Sequence, residues 1–180
     1  MVKKAAVILS VLMLAGYAGA GDGDTLARFE GAIGANPVSS AAGIANADGT
    51  FPNVNRNVVR GVNPPGQIWR IDGLRAVVDT DGRIRVRGRG LLLGGGNNIG
   101  RNANASVIAT LICEAAAPFV LRNTAATGVP LAPNGDFRID DTLDPAPGTC
   151  ESPLLLIRST GGTWFAAGIQ KLAGDDDDDD

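Results

Sequence analysis

The clearest pattern in the chain lies between Ile68 and Gly90. Ile68, Arg70, Asp72, Leu74, Ala76 and Val78 share one parity, and Trp69, Ile71, Arg75 and Val77 the other. Asp79-Thr80-Asp81-Gly82 interrupts the run. Arg83, Arg85, Arg87 and Arg89 then alternate with Ile84, Val86, Gly88 and Gly90. A period of two is the signature of a strand with unlike faces. Two such runs around Asp-Gly predict a β-hairpin, with the arginines on one face and Asp72 available from the facing strand. Gly88 and Gly90 predict a close backbone approach or a bulge. Leu91-Leu92-Leu93 carries the strand toward a buried region, and Gly94-Gly95-Gly96-Asn97-Asn98 ends it.

Elsewhere the alternation is less regular but the punctuation is consistent. Asp24 to Ile33 predicts a first strand, and Gly34 to Asn57 a long surface connection pinned by Phe51. Asn63-Pro64-Pro65-Gly66 is a turn. Val107 to Cys113 reads as a strand. A helix over Ala103 to Ala117 is the competing reading, and the β-branched Val107, Ile108, Thr110 and Ile112 oppose it. Phe119 to Arg122 supplies a neighbour. Asn134-Gly135 is a turn before a short strand, Asp136 to Ile139, and Asp141 to Thr149 is loop. Leu154 to Arg158 and Trp164 to Ile169 form a last hairpin around Thr160-Gly161-Gly162. Short strands at turn-punctuated intervals predict an all-β fold: a single antiparallel β-sandwich or closed sheet with long Gly/Asn-rich loops.

Composition divides the chain into three parts. Lys3 and Lys4, the apolar run Ala5 to Leu14, and Ala18-Gly19-Ala20 together predict a cleaved signal peptide over residues 1–20. Residues 21–172 are the single β domain, and 173–180 an acidic tail expected to be disordered. The formal charge of -3 is the sum of these unlike pieces. Between the leader and the six aspartates Asp175 to Asp180, 14 basic residues face 13 acidic ones. The expected location is secreted or periplasmic, with no transmembrane anchor after cleavage. Export suits a disulfide between Cys113 and Cys150.

The chain has no histidine, which excludes Ser-His-Asp and Cys-His catalysis and every histidine-containing zinc site. There is no C-x-x-C. The glycine clusters match neither a P-loop nor a dinucleotide fingerprint, and Asn104-Ala105-Ser106 is a formal glycosylation sequon. Arg83, Arg85, Arg87 and Arg89 are the principal candidate contact residues, because guanidinium forks match carboxylate and phosphate. They point to an anionic glycan, a lipid surface or another protein. Nucleic acid is disfavoured by the near-neutral body and the acidic tail. The expected role is a secreted, non-catalytic binding or structural protein that needs no cofactor. One alternative is a carbohydrate-binding module with Trp69 and Trp164 as stacking platforms, although a single core also accommodates both. Another is a carboxylate hydrolase built on Glu30, Glu114 or Glu151. Asp136, Asp140, Asp141 and Asp144 cluster around turns and form a secondary candidate set for calcium, without the ligand alternation of an EF-hand.

Overall fold

The computed structural model describes residues 24–40, 46–48 and 54–172. The expected leader, the acidic tail and Phe51 lie outside them. The described residues contain no helix, and none of their segments is a helix long and apolar enough to cross a membrane.

The fold is all-β. Its strands are β1 (Thr25–Gly34), β2 (Val38–Ser40), β3 (Val54–Arg56), β4 (Trp69–Arg70), β5 (Gly73–Asp79), β6 (Arg83–Arg89), β7 (Leu92–Leu93), β8 (Ser106–Ile112), β9 (Arg122–Asn123), β10 (Val129–Pro130), β11 (Phe137–Thr142), β12 (Leu154–Ser159) and β13 (Trp164–Lys171). One antiparallel sheet runs β10-β8-β12-β13-β1-β5-β6-β11, with β9 also paired to β8. Its two end strands are consecutive in sequence. The Ala132 N–H donates to Asp136 O at 2.9 Å and the Gly135 N–H to Ala132 O at 2.8 Å, closing the turn between them. Beside β9, Asn123 and Asp144 exchange backbone bonds of 3.0 and 2.9 Å. Of the two expected arrangements, the nearly closed sheet is the one adopted. Closure removes the exposed edges that an open sheet of this size would carry.

The inward positions follow the period of two. Ile84 and Val86 on β6, Leu74, Ala76 and Val78 on β5, Phe137 and Ile139 on β11, and Ala27 and Phe29 on β1 are buried together. β8 and the middle of β12 are buried on both faces, and Leu111, Ile112, Leu155, Leu156 and Ile157 are wholly enclosed. Such strands lose alternation and become continuous apolar runs. That is why the strand reading of Val107 to Cys113 had a helix over Ala103 to Ala117 as its competitor. Cys113 and Cys150 form the expected disulfide, with Cα atoms 4.4 Å apart.

Two expectations about elements change. The run from Ile68 to Val78 is not one strand. Trp69 and Leu74 are both buried and have opposite parity, so the chain changes sheet between them. β4 pairs with β7 in a separate ribbon, and β5 enters the main sheet. The connection from Gly34 to Asn57 also contains structure, because β2 pairs with β3 across it. The last strand before the long loop is longer than expected. Asp140, Asp141 and Thr142 pair with Arg85, Ile84 and Arg83, extending β11 beyond Ile139. The close approach expected at Gly88 and Gly90 is present. A Cβ on Gly88 would overlap the Phe137 ring, and Gly90, at φ +65°, lies against the Asp72 carboxylate.

Candidate functional site

β6 lies between β5 and β11. Because Ile84 and Val86 point inward, the strand period sends Arg83, Arg85, Arg87 and Arg89 outward, and all four are exposed. The neighbouring strands widen this face. Arg75 on β5 and Arg138 on β11 are the register partners of Arg87 on its two sides. With strands about 4.8 Å apart, the three arginines stand in one row about 10 Å wide. In the adjacent row, Arg85 is opposite Val77, Val77 opposite Arg28 on β1, and Arg28 opposite Lys171 on β13. A shallow groove of about 810 Å³ runs over this region, lined by six basic side chains and two acidic ones.

Like charges directly opposite one another destabilise a sheet, and acids relieve only part of this face. Arg75 Nη2 is 2.7 Å from Glu30 Oε1, and Lys171 Nζ is 3.6 Å from Glu30 Oε2. Arg85 Nη2 donates to Asp79 Oδ2 at 3.3 Å, and Arg83 Nη2 to Asp140 Oδ1 at 3.2 Å. Asp72 meets the end of the arginine strand, its N–H donating to Arg89 O at 2.9 Å, but among the described residues its carboxylate pairs with none of the four arginines. It lies in the segment where the chain changes sheet, and it accepts from Arg70 Nη1 at 2.5 Å. Among the described residues, Arg28, Arg87, Arg89 and Arg138 make no side-chain hydrogen bond or ion pair. Neighbouring arginines on β6 repeat about every 6.8 Å, so the row and the strand together present a two-dimensional set of guanidiniums. Such a set can hold several carboxylate, sulfate or phosphate groups at once.

The other candidates are placed differently. Trp69 and Trp164 are 4% and 3% exposed, so the stacking-platform expectation is corrected. Trp69 packs on Phe165 with ring centroids 4.0 Å apart, and Trp164 Nε1 donates to Asn57 O at 3.0 Å. Neither ring keeps a free face for a sugar. The four aspartates are also separated. Asp136 accepts from Gly90 N and Asn134 Nδ2, Asp140 pairs with Arg83, and Asp141 accepts from Ala125 N and Thr142 N. Asp144 meets Asn123 through its backbone. Consecutive strand residues point to opposite faces, which pulls Asp140 and Asp141 apart. Among the described residues no three acids come together to hold a metal ion.

Glu114 carries a shifted carboxyl. The hydrogen bond from Arg122, at 2.8 Å, and the backbone N–H of Val120 hold its pKa down at about 2. A group so strongly held as carboxylate is a poor general acid near neutral pH. Glu30 is engaged by Arg75 and Lys171 on another strand.

Arg28, Arg75 and Arg138 were not singled out by pattern. The hairpin register around Asp81-Gly82 pairs Arg75 with Arg87, so a local signal for Arg75 existed. Arg28 and Arg138 join through pairing between distant segments, for which the chain carries no local sign. Comparison of the chain with protein-family models, with curated proteins and with solved structures gave no match.

Proposed function

We propose that this chain is an exported, non-catalytic binding protein whose outer β1-β5-β6-β11 face holds an acidic polysaccharide. The observation that carries this reading is the row Arg75, Arg87 and Arg138. Its members are directly opposite one another, and Arg87 and Arg138 have no acid partner among the described residues. A purely structural face would place acids opposite the arginines, since like pairs cost stability. An extended acidic glycan supplies the missing anions at several points along the groove. A lipid surface fits less well. The large exposed apolar residues, such as Ile33, Ile68 and Ile99, lie outside the groove lining, so among the described residues no large exposed apolar side chain stands there to enter a bilayer. The Cys113–Cys150 bond agrees with an oxidising compartment.

The test is binding of polygalacturonate, with phosphatidylcholine vesicles with and without phosphatidylglycerol as the comparison. Wild type is expected to bind the glycan with an affinity that falls as salt rises. The double variant Arg85→Glu, Arg87→Glu is expected to lose that binding while keeping its β-sheet circular dichroism. Equal binding by wild type and the folded double variant would refute the reading, and binding only to anionic vesicles would replace the glycan with a lipid surface.

A further inference from the structure

We infer that the chain carries its own competitor for this face: the Asp175–Asp180 run docks, within the same molecule, across the Arg75-Arg87-Arg138 row. The docking stands on charge and geometry alone, whereas its role as a competitor rests on the binding function proposed above.

Three observations converge. The first is where the ordered chain delivers the tail. β13 ends at Lys171, whose register partner is Arg28, and Lys171 lines the same groove as Arg75, Arg87 and Arg138. Leu172, Ala173 and Gly174 then lead into the first aspartate. The second is reach. In the sheet order β13-β1-β5-β6-β11, β6 is three strands from β13 and β11 is four. At about 4.8 Å per strand these are roughly 14 and 19 Å away. An extended chain advances about 3.3 Å per residue, so Asp175 comes about 13 Å from Lys171 and Asp180 about 30 Å. The aspartates therefore span the distances to Arg87 and Arg138 without strain.

The third observation is complementarity. The run has six carboxylates and no other side chain. In an extended conformation every second carboxylate falls on one side, about 6.8 Å apart, so two or three of them fall along a row about 10 Å wide. Arg28, Arg87 and Arg138 have no anion among the described residues to displace. The short connection keeps the aspartates near the groove at an effective concentration of about millimolar, which favours the molecule's own face over that of a second copy.

Such docking is shallow and screened by salt, and it opposes the ordering entropy of the tail. It therefore acts as a reversible competitor. A multivalent polyanion displaces it, whereas a single small anion does not. The face then discriminates by the number of charges its ligand presents together.

The experiment compares the full chain with a full-length variant carrying Asp→Asn at all six positions from 175 to 180. The arginine Nε–Hε NMR signals report docking directly, and polygalacturonate binding reports competition. The signals of Arg75, Arg87 and Arg138 are expected to differ between the two proteins at low salt and to converge at about 0.5 M salt, where screening is nearly complete. The variant is expected to bind polygalacturonate about three- to tenfold more tightly at low salt, with the gap closing at high salt.

Identical arginine signals at low salt would overturn the docking. If polygalacturonate still shifted those signals, the proposed function would survive without the tail. Signal differences that grew with protein concentration would overturn it in favour of a second copy's tail. Differences independent of concentration, together with no glycan binding by either protein, would support the docking and refute the glycan reading. Differences with equal glycan affinity would overturn the competitor role.

Discussion

Arginines on two sides of this nearly closed sheet have opposite fates. On the β8-β9-β12 flank they are drawn into the structure. Arg158 donates from Nε and Nη2 to Gly162 O at 3.1 and 2.9 Å, and from Nη1 to Thr110 Oγ1 and Asn123 Oδ1 at 3.3 and 3.1 Å. Its burial lowers its pKa. Arg122, almost wholly buried, donates to Glu114 and to Val120 O. Arg60 reaches Ile112 O and both oxygens of Ser152. On the β1-β5-β6-β11 face the arginines stand in solvent beside one another, and Arg75 is 81% exposed along its side chain. The same residue type closes the fold on one side and faces outward on the other. What separates the two is the supply of acceptors. A buried guanidinium is tolerated where carbonyls, hydroxyls and carboxylates meet most of its donors, and in Arg122 Nε is the donor left without a partner.

The largest expected effect lies on the closed side. Replacing Cys113 and Cys150 together by serine releases a loop spanning a sequence separation of 37. The chain-entropy model gives a loss of about 4 kcal/mol for a loop of that length, measured by urea unfolding. Affinity for the polyanion should hold wherever the variant remains folded. A loss of binding in the folded variant would show that the two sides of the sheet are coupled.

Next is the Arg122–Glu114 pair. Glu114→Gln is expected to cost about 2 kcal/mol at neutral pH, because a charge-assisted bond to a nearly buried guanidinium is weakened. The pH dependence follows from the lowered carboxyl. Its ordinary value is 4.5 and its folded value about 2. The carboxylate's stabilisation is therefore complete above about 4.5 and disappears as pH falls toward 2. Wild type should lose stability faster than Glu114→Gln across that window in urea titrations. Parallel curves would show that the bond contributes nothing.

Within β6 itself the inward and outward positions should diverge. Gly88→Ala forces a methyl group into the Phe137 ring and is expected to cost about 2 kcal/mol by overpacking. Arg87→Gln, one residue away, removes a guanidinium flanked by two others. It should change thermal stability by no more than about 0.5 kcal/mol, in either direction. A large loss from Arg87→Gln would mean that the row is a structural device.

The hairpin of β5 and β6 was legible because its alternation, its Asp-Gly turn and its arginines all lie within a short local stretch. The disulfide was legible because two cysteines in a chain expected to be exported leave one pairing. Other features depended on distant segments. The change of sheet between Trp69 and Leu74 is hidden because Ile71 sustains an apolar pattern across it. β2 and β3 are three residues each and find each other only across a long intervening stretch. Nothing local says that β10 and β11 end one sheet, or that Arg28 and Arg138 join the arginines of β6. The tryptophans were ambiguous for a different reason, since a large aromatic serves equally as core or as platform until its neighbours are known. The aspartates looked clustered because sequence proximity conceals the alternation of strand faces.

The arginines of the two sides divide their labour, and one paired measurement on the protein addresses that division. Arg87→Gln and Arg158→Gln remove the same charge from the two sides. For each, thermal unfolding and polygalacturonate affinity are measured in the same low-salt buffer. Arg87→Gln is expected to weaken binding and leave the melting temperature near that of wild type, while Arg158→Gln is expected to lower the melting temperature and leave the binding of the folded protein unchanged. Equal loss of affinity in both variants, or a fall in melting temperature confined to Arg87→Gln, would contradict that division.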